Sequence, residues 1–295
     1  MTRAGDSPEG DPATSATEFV YRIRRADGAR PGAHPGRGLG AGDEFAGHRR
    51  LFDAPDPRRL DVRASLASVP REWRVRTHRR RAAVTLRAIV DVSASMRSGA
   101  KLDVAAALLG ALGRSAFRAG DAVALEGFDA AAVGGLSRAP RLGRGAGEAL
   151  VAALAAERAG PGRAGSLDGL ADCLARTVSP AALTFVVSDF HFALDALPRA
   201  VERARGSRLC PVVVWSPAET EPPPGSGWVA LVDSESGRRR RTWLRASTRQ
   251  AWREAVSRRR AEIERAFERE GLAPFRIEGA FDAEALSRHL LETGA

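Results

Sequence analysis

The segment Asp91-Val92-Ser93-Ala94-Ser95-Met96 sets a carboxylate and two hydroxyls at alternate positions. Three hard oxygen donors in that spacing suit a hard cation. Mg2+ takes oxygen ligands at roughly 2.0–2.1 Å and keeps several waters, so a few protein oxygens at a rigid junction suffice and one position can stay open. Mn2+ or Ca2+ could use the same donors. Two more oxygen donors follow. Asp189 closes the apolar run Val186-Val187-Ser188, and Ser166 lies in Gly165-Ser166-Leu167-Asp168-Gly169. The candidate metal set is therefore Asp91, Ser93, Ser95, Ser166 and Asp189. The competing use of Asp91 and its serines is to cap the turn and helix that follow. A strand before the motif, a helix after it and two further donors at strand or loop ends favour the cation.

These donors need elements to position them. Residues 83–92 form an apolar run of strand length, broken by Arg87. Leu102, Ala105, Ala106, Leu109, Leu112, Gly113 and Ala116 recur at helical spacing over 101–119. Strands follow at 123–128, 182–190 and 210–215, and helices at 147–158, 167–178 and 193–205, where Pro198 implies a kink or a late start. Alternating helices and continuous apolar strands predict an α/β fold, a doubly wound, mostly parallel sheet with helices on both faces. Asp91 and Asp189 then stand at the carboxyl ends of strands, where open parallel sheets bind ligands.

Beyond this core the chain reads as a hairpin (228–233 and 238–244), then a long helix over 248–270. Ser247 and Gln250 make a capping-box pair for that helix and Gly271 stops it. A strand over 274–280 and a helix over 282–292 close the pattern. At the other end, residues 1–42 are rich in Gly, Pro, Ala and Arg. Their spaced glycines at 36–42 follow no strand, so the stretch reads as a flexible approach segment and not as a dinucleotide fingerprint. Residues 43–82 are a polar, turn-rich extension with short strands such as 73–76, and residues 83–295 are the core with its C-terminal elaboration.

Composition narrows the function. The formal charge is +10 and the sequence pI about 11.1. Among 46 lysines and arginines Lys101 is the only lysine. That texture matches GC-rich codon usage, so part of the basicity is not functional. Basic runs at Arg79–Arg81, Arg238–Arg241 and Arg258–Arg260 would suit phosphate, but the third is followed by Glu262, Glu264, Glu268 and Glu270. With one tyrosine and no aromatic interleaving, nucleic acid is not the expected partner. Two cysteines, Cys173 and Cys210, exclude a disulfide scaffold and a Cys-based zinc cluster, and both read as structural. No run approaches the roughly 20 apolar residues of a membrane span. Residues 1–19 lack the apolar centre of a signal peptide, so a cytoplasmic location is expected. The histidines are scattered, and His191 reads as a loop residue with no chemical role. No H-E-x-x-H, G-x-S-x-G or Walker A pattern is present, nor the second aspartate of a D-x-D phosphatase motif. A metal-dependent phosphoesterase and a basic nucleic-acid-binding protein stay as alternatives to a non-catalytic binding module.

The arrangement resembles the von Willebrand factor A domain and its metal-ion-dependent adhesion site. Asp91, Ser93 and Ser95 match its D-x-S-x-S motif, Ser166 stands at its threonine position, and Asp189 matches its later aspartate. More of the chain resembles one bacterial branch, the domain-of-unknown-function-fifty-eight family. The matching features are Glu44-Phe45, His48-Arg49-Arg50-Leu51-Phe52 and Asp56-Pro57-Arg58-Arg59-Leu60-Asp61-Val62-Arg63-Ala64-Ser65. Val232-Asp233, the Arg-rich helix and Phe275-Arg276-Ile277 match in the tail. The sequence departs at Val62, where the family has tryptophan, at Phe52 for tyrosine, and at Arg87 and Glu126 inside strands. The resemblance covers about residues 42–293. It implies a companion of a MoxR-type AAA+ ATPase with a chaperone-like or cofactor-insertion role, one subgroup (MxaS-type) serving methanol dehydrogenase. It also implies binding without turnover: Mg2+ held by the motif would take an acidic side chain of the ATPase or a client protein.

Overall fold

The computed structural model describes residues 18–294, apart from 24, 25, 27, 29, 41, 43, 159, 161, 235 and 236. Strands β1 (His34–Gly40), β2 (Glu44–Arg50) and β3 (Arg74–Ala82) form an antiparallel sheet with β3 in the middle, and helix α1 (Val62–Ala67) lies between β2 and β3. The chain then enters β4 (Thr85–Asp91), α2 (Lys101–Ala119), β5 (Ala122–Phe128), β6 (Arg138–Arg141), α3 (Ala146–Arg158), α4 (Leu167–Thr177) and β7 (Ala182–Ser188). It continues through α5 (Leu197–Arg203), β8 (Arg208–Trp215) and the short α6 (Pro217–Thr220). After the hairpin β9 (Gly227–Val232) and β10 (Arg239–Leu244) come α7 (Ala246–Arg269), β11 (Phe275–Glu278) and α8 (Ala283–Thr293).

The central sheet has the order β11-β8-β7-β4-β5-β6 and is parallel except for β6. Strands β4 and β7 are buried almost throughout, as their unbroken apolar runs require. Helices α2, α3 and α8 cover one face and α4, α5 and α7 the other. Helix α2 turns its apolar stripe inward and ends on Gly120, whose φ of 72° supplies the left-handed cap. Its Gly113 meets Gly147 of α3 so closely that an added Cβ would lie 2.3 Å from the Gly147 Cα. This is the doubly wound α/β architecture expected from the sequence, with an extra N-terminal sheet and C-terminal elements.

Several boundaries and one larger expectation change. Pro198 sits in the first turn of α5, which starts late at Leu197. Helix α7 begins at Ala246 after Arg245, with no side-chain cap, so the Ser247–Gln250 capping box does not form. The described part of residues 1–42 is not a flexible approach segment. Phe19, Tyr21, Ile23 and Ala26 are buried, and the glycine-rich stretch contributes most of β1. The Phe19 ring meets Phe185 edge-on at 5.7 Å. The Phe19 and Val20 N–H groups donate to Ser115 Oγ and Ser287 Oγ, each at 2.9 Å. Asp121 completes the anchor. Its Oδ2 accepts the Tyr21 hydroxyl and lies 2.7 Å from His34 Nε2, while Oδ1 accepts the Val84 N–H at 2.9 Å. Burial and the Asp121 charge drive the Tyr21 phenol far above its ordinary range. Residues 1–17, the rest of the expected flexible segment, lie outside the described residues.

Candidate metal centre

Strand β4 is followed by α2 toward β5, whereas β7 is followed by α5 toward β8 on the opposite side. Their carboxyl ends therefore flank the topological switch point, where a crevice forms because the two chains leave in opposite directions. Asp91 is the last residue of β4, and Asp189 directly follows the last residue of β7; both are fully buried.

Asp91 is held from two sides. Its Oδ1 accepts the Ser93 N–H at 2.9 Å, and its Oδ2 accepts the Ser188 hydroxyl at 2.6 Å. Burial pushes its carboxyl up and the Asp189 charge adds to this; hydrogen bonds from Ser188 and Ser93 offset part of the rise, leaving it at about 6. The hydroxyls of Ser93 and Ser95 lie 3.1 Å apart. That matches the roughly 3 Å between adjacent oxygens around an octahedral ion with bonds of about 2.1 Å.

Asp189 faces a cation of the chain's own. Its Oδ2 accepts from Lys101 Nζ at 2.7 Å, its Oδ1 accepts the His191 N–H at 3.2 Å, and its carbonyl accepts from Trp215 Nε1 at 2.9 Å. Lys101 also donates to Glu219 Oε1. Glu219 closes the capping box of α6, its Oε2 accepting the Ser216 N–H at 3.0 Å. Burial would raise the Glu219 carboxyl, but His191, Lys101 and the Ser216 N–H together hold it at about 2. The His191 Nε2 lies 4.0 Å from Glu219, and its ring stacks on Trp215 at 5.6 Å. Asp189, His191 and Glu219 thus bring three ligand atoms within 4.8 Å of one another. His191 is a loop residue, as expected, and its place just after Asp189 brings it beside this cluster.

The loop after Asp189 is pinned from below. Phe190 adopts a φ of 51°, uncommon for a bulky residue. Arg259 of α7 donates to the carbonyls of both Phe190 and Phe192, and Arg260 packs over Trp215 and pairs with Glu278 at 2.7 Å. Two arginines of the third basic run therefore serve the fold of this rim. Ser166 stands at its edge. Its hydroxyl caps α4 by accepting the Gly169 N–H at 3.2 Å and donates to the Ala130 carbonyl at 3.1 Å. The preceding Gly165 faces Ser93, whose Oγ would lie 3.2 Å from a Cβ added there.

The donor set fits a hard divalent cation in kind. Asp91 and its two neighbouring hydroxyls feel the Asp189 charge, and Asp189 shares the Lys101 ammonium with Glu219, so more carboxylates than cations meet along this rim. Lys101 and Glu219 join the site without belonging to any motif in the sequence. Lys101 had one available signal, its status as the only lysine.

A family model described as "Protein of unknown function DUF58" matches residues 57–262. The chain belongs to the DUF58 family. Its fold is a mostly parallel six-stranded α/β sheet with an extra N-terminal sheet and C-terminal elements. Among solved structures it is similar to the conserved hypothetical protein BatB from Bacteroides thetaiotaomicron, at 14% identity and a TM-score of 0.41, covering 72% of this chain and 99% of that one. An aerotolerance-related membrane protein from Bacteroides fragilis NCTC 9343 aligns at 14% identity and a TM-score of 0.43, covering 72% and 98%. A von Willebrand factor type A protein from Catenulispora acidiphila aligns at 17% identity and a TM-score of 0.33, covering 48% and 34%. No curated protein matches the chain. Among the described residues, no helix of this DUF58 protein is long and apolar enough to cross a membrane.

Proposed function

We propose that this DUF58 protein is a non-catalytic, metal-dependent protein-interaction module. Asp91, Ser93 and Ser95 would hold Mg2+ or a similar divalent ion, with Ser166 and Asp189 at the rim. The ion would supply a positive charge that takes a partner's Asp or Glu carboxylate. The observation that carries this reading is the pair of hydroxyls at 3.1 Å beside two buried carboxylates at the switch point of the sheet. The remaining work falls to the chain itself. Ser188 and the Ser93 N–H orient Asp91, while Arg259 and Trp215 fix the loop and carbonyl around Asp189. Burial pushes the thiols up to about 11 for Cys173 and about 12 for Cys210, so neither is poised as a nucleophile.

On the ground of family membership, the proposed partner is a MoxR-type AAA+ ATPase in the cytoplasm. The proposed task is assembly of, or metal insertion into, a client enzyme, methanol dehydrogenase being one example. Immobilised protein is exposed to native lysate with Mg2+, with EDTA, or as Asp91→Ala with Mg2+. An AAA+ ATPase identified by mass spectrometry only on the wild type with Mg2+ is the expected result. The same ATPase in all three conditions would remove the metal from the mechanism.

A further inference from the structure

Lys101 is the single lysine in a chain that otherwise uses arginine for its permanent cations. Its side chain is 1% exposed, and it lies in the first turn of α2, where the helix dipole disfavours a positive charge. Its Nζ sits between Asp189 from the β7 end and Glu219 from α6. An ammonium is a compact point charge with three donors, whereas a guanidinium is a flat fork that needs more room. The lysine thus stands where one carboxylate from the end of β7 and one from α6 converge on a buried cation.

We propose that the Lys101 ammonium is a tethered counter-cation that competes with a divalent ion for Asp189 and Glu219 and so weakens the metal affinity of the centre. This rests on the metal reading above and deepens it. With Lys101 in place, Asp189 Oδ2 and Glu219 Oε1 point at the ammonium. The ion is left with Asp91 and the two serines, one carboxylate and two uncharged hydroxyls. Affinity for a divalent ion scales with the number and charge of its ligands. The centre is therefore organised without an ion and holds one loosely, with room for a partner's carboxylate to add the missing charge. Removing the ammonium frees two carboxylates and leaves His191 beside them as a further donor.

The test is calorimetric titration of Mn2+ into the full chain and into Lys101→Gln, with the melting temperature of each followed in EDTA and in Mn2+. The variant is expected to bind Mn2+ at least tenfold more tightly and to gain more thermal stability from it than the wild type. Equal or weaker binding by the variant, with the wild type binding, overturns the proposal and leaves the metal reading standing. Binding by the variant alone supports the tethered cation and removes the metal-dependent reading of the wild type. Binding by neither overturns both. Breaking a buried ion pair costs stability, so folding is itself a readout. A variant unfolded in EDTA but folded in Mn2+ supports the proposal. One that folds in neither shows that an ion cannot take the ammonium's place, and overturns it.

Discussion

The Ser188 hydroxyl donates to Asp91 Oδ2 across 2.6 Å and joins the final residues of β7 and β4, the two strands that flank the switch point. The same oxygen accepts the Phe190 N–H at 2.9 Å, so a single side chain orients the carboxylate and starts the turn beyond Asp189. Asp91 is thereby fixed before any ligand arrives, and its orientation costs nothing further on binding.

The first prediction concerns the ion. Divalent cations are expected to raise the melting temperature of the wild type, because they bind the folded chain and relieve the repulsion between Asp91 and Asp189. At a concentration of about 100 times the dissociation constant the gain is about 2.7 kcal/mol. Asp91→Asn is expected to melt at the same temperature in Mg2+ and in EDTA. A melt series in both buffers decides it.

Helix packing gives two substitutions of opposite sign. Gly113→Ala would drive a methyl group into the backbone of α3 and is expected to cost about 1–3 kcal/mol. Gly110→Ala, three residues earlier on the same helix, meets only the Arg114 side chain. It is expected to stabilise by up to about 1 kcal/mol through helix propensity. Urea unfolding of the two variants should move the midpoint in opposite directions.

Asp121 is the anchor of the N-terminal segment. Asp121→Ala leaves the buried Tyr21 hydroxyl and Val84 N–H without their acceptor and is expected to cost upwards of about 2 kcal/mol. Tyr21→Phe removes one donor cleanly and should cost about 1 kcal/mol. Limited proteolysis should cut the Asp121→Ala chain within residues 18–40 well before it cuts the wild type.

Acid sensitivity should appear in the small sheet. Asp61 accepts from the Ala64 N–H, from Arg76 Nε at 2.7 Å and from His48 Nε2 at 3.0 Å. These bonds, the Ala64 N–H foremost, hold its carboxyl well below the usual range. A carboxyl lowered in the folded state stabilises the fold at any pH above its unfolded value near 4, and that contribution is lost as pH falls further. Amide protection in β2 and β3, corrected for the intrinsic exchange rate at each pH, should therefore fall below about pH 4 in the wild type. Asp61→Asn should exchange faster at pH 7, with the difference between the two chains shrinking in acid.

Much of the central sheet could be read because parallel strands buried on both faces leave continuous apolar runs, and a polar residue ending such a run marks the rim. Asp91, Ser93, Ser95 and Asp189 were legible for that reason. Lys101 and Glu219 were not. They reach the rim from two helices, α2 and the short α6 after β8, and no spacing in the sequence encodes a contact between residues 118 apart. The N-terminal segment did carry a signal. Phe19, Tyr21 and Ile23 alternate with polar or exposed residues at strand period, but the surrounding Gly, Pro and Arg content pointed toward disorder. The start of α7 differs from the sequence pattern because a Ser-x-x-Gln pair satisfies that pattern even when the helix has already begun one residue earlier.

The hydrogen bond from the Val20 N–H to Ser287 Oγ spans 267 positions along the chain. A contact of such long range has a kinetic consequence. During synthesis, the strip at residues 18–23 can find Ser115 and Asp121 early, but its other support arrives only after α8 has been made. Until then the sheet face that carries Phe185 lacks the cover that Leu286 and Leu290 of α8 provide, and apolar surface stays open to solvent and to neighbouring chains. The slowest and most aggregation-exposed moment in the life of this protein should thus be the interval before its last described helix docks, and that interval would lengthen in any variant that weakens α8.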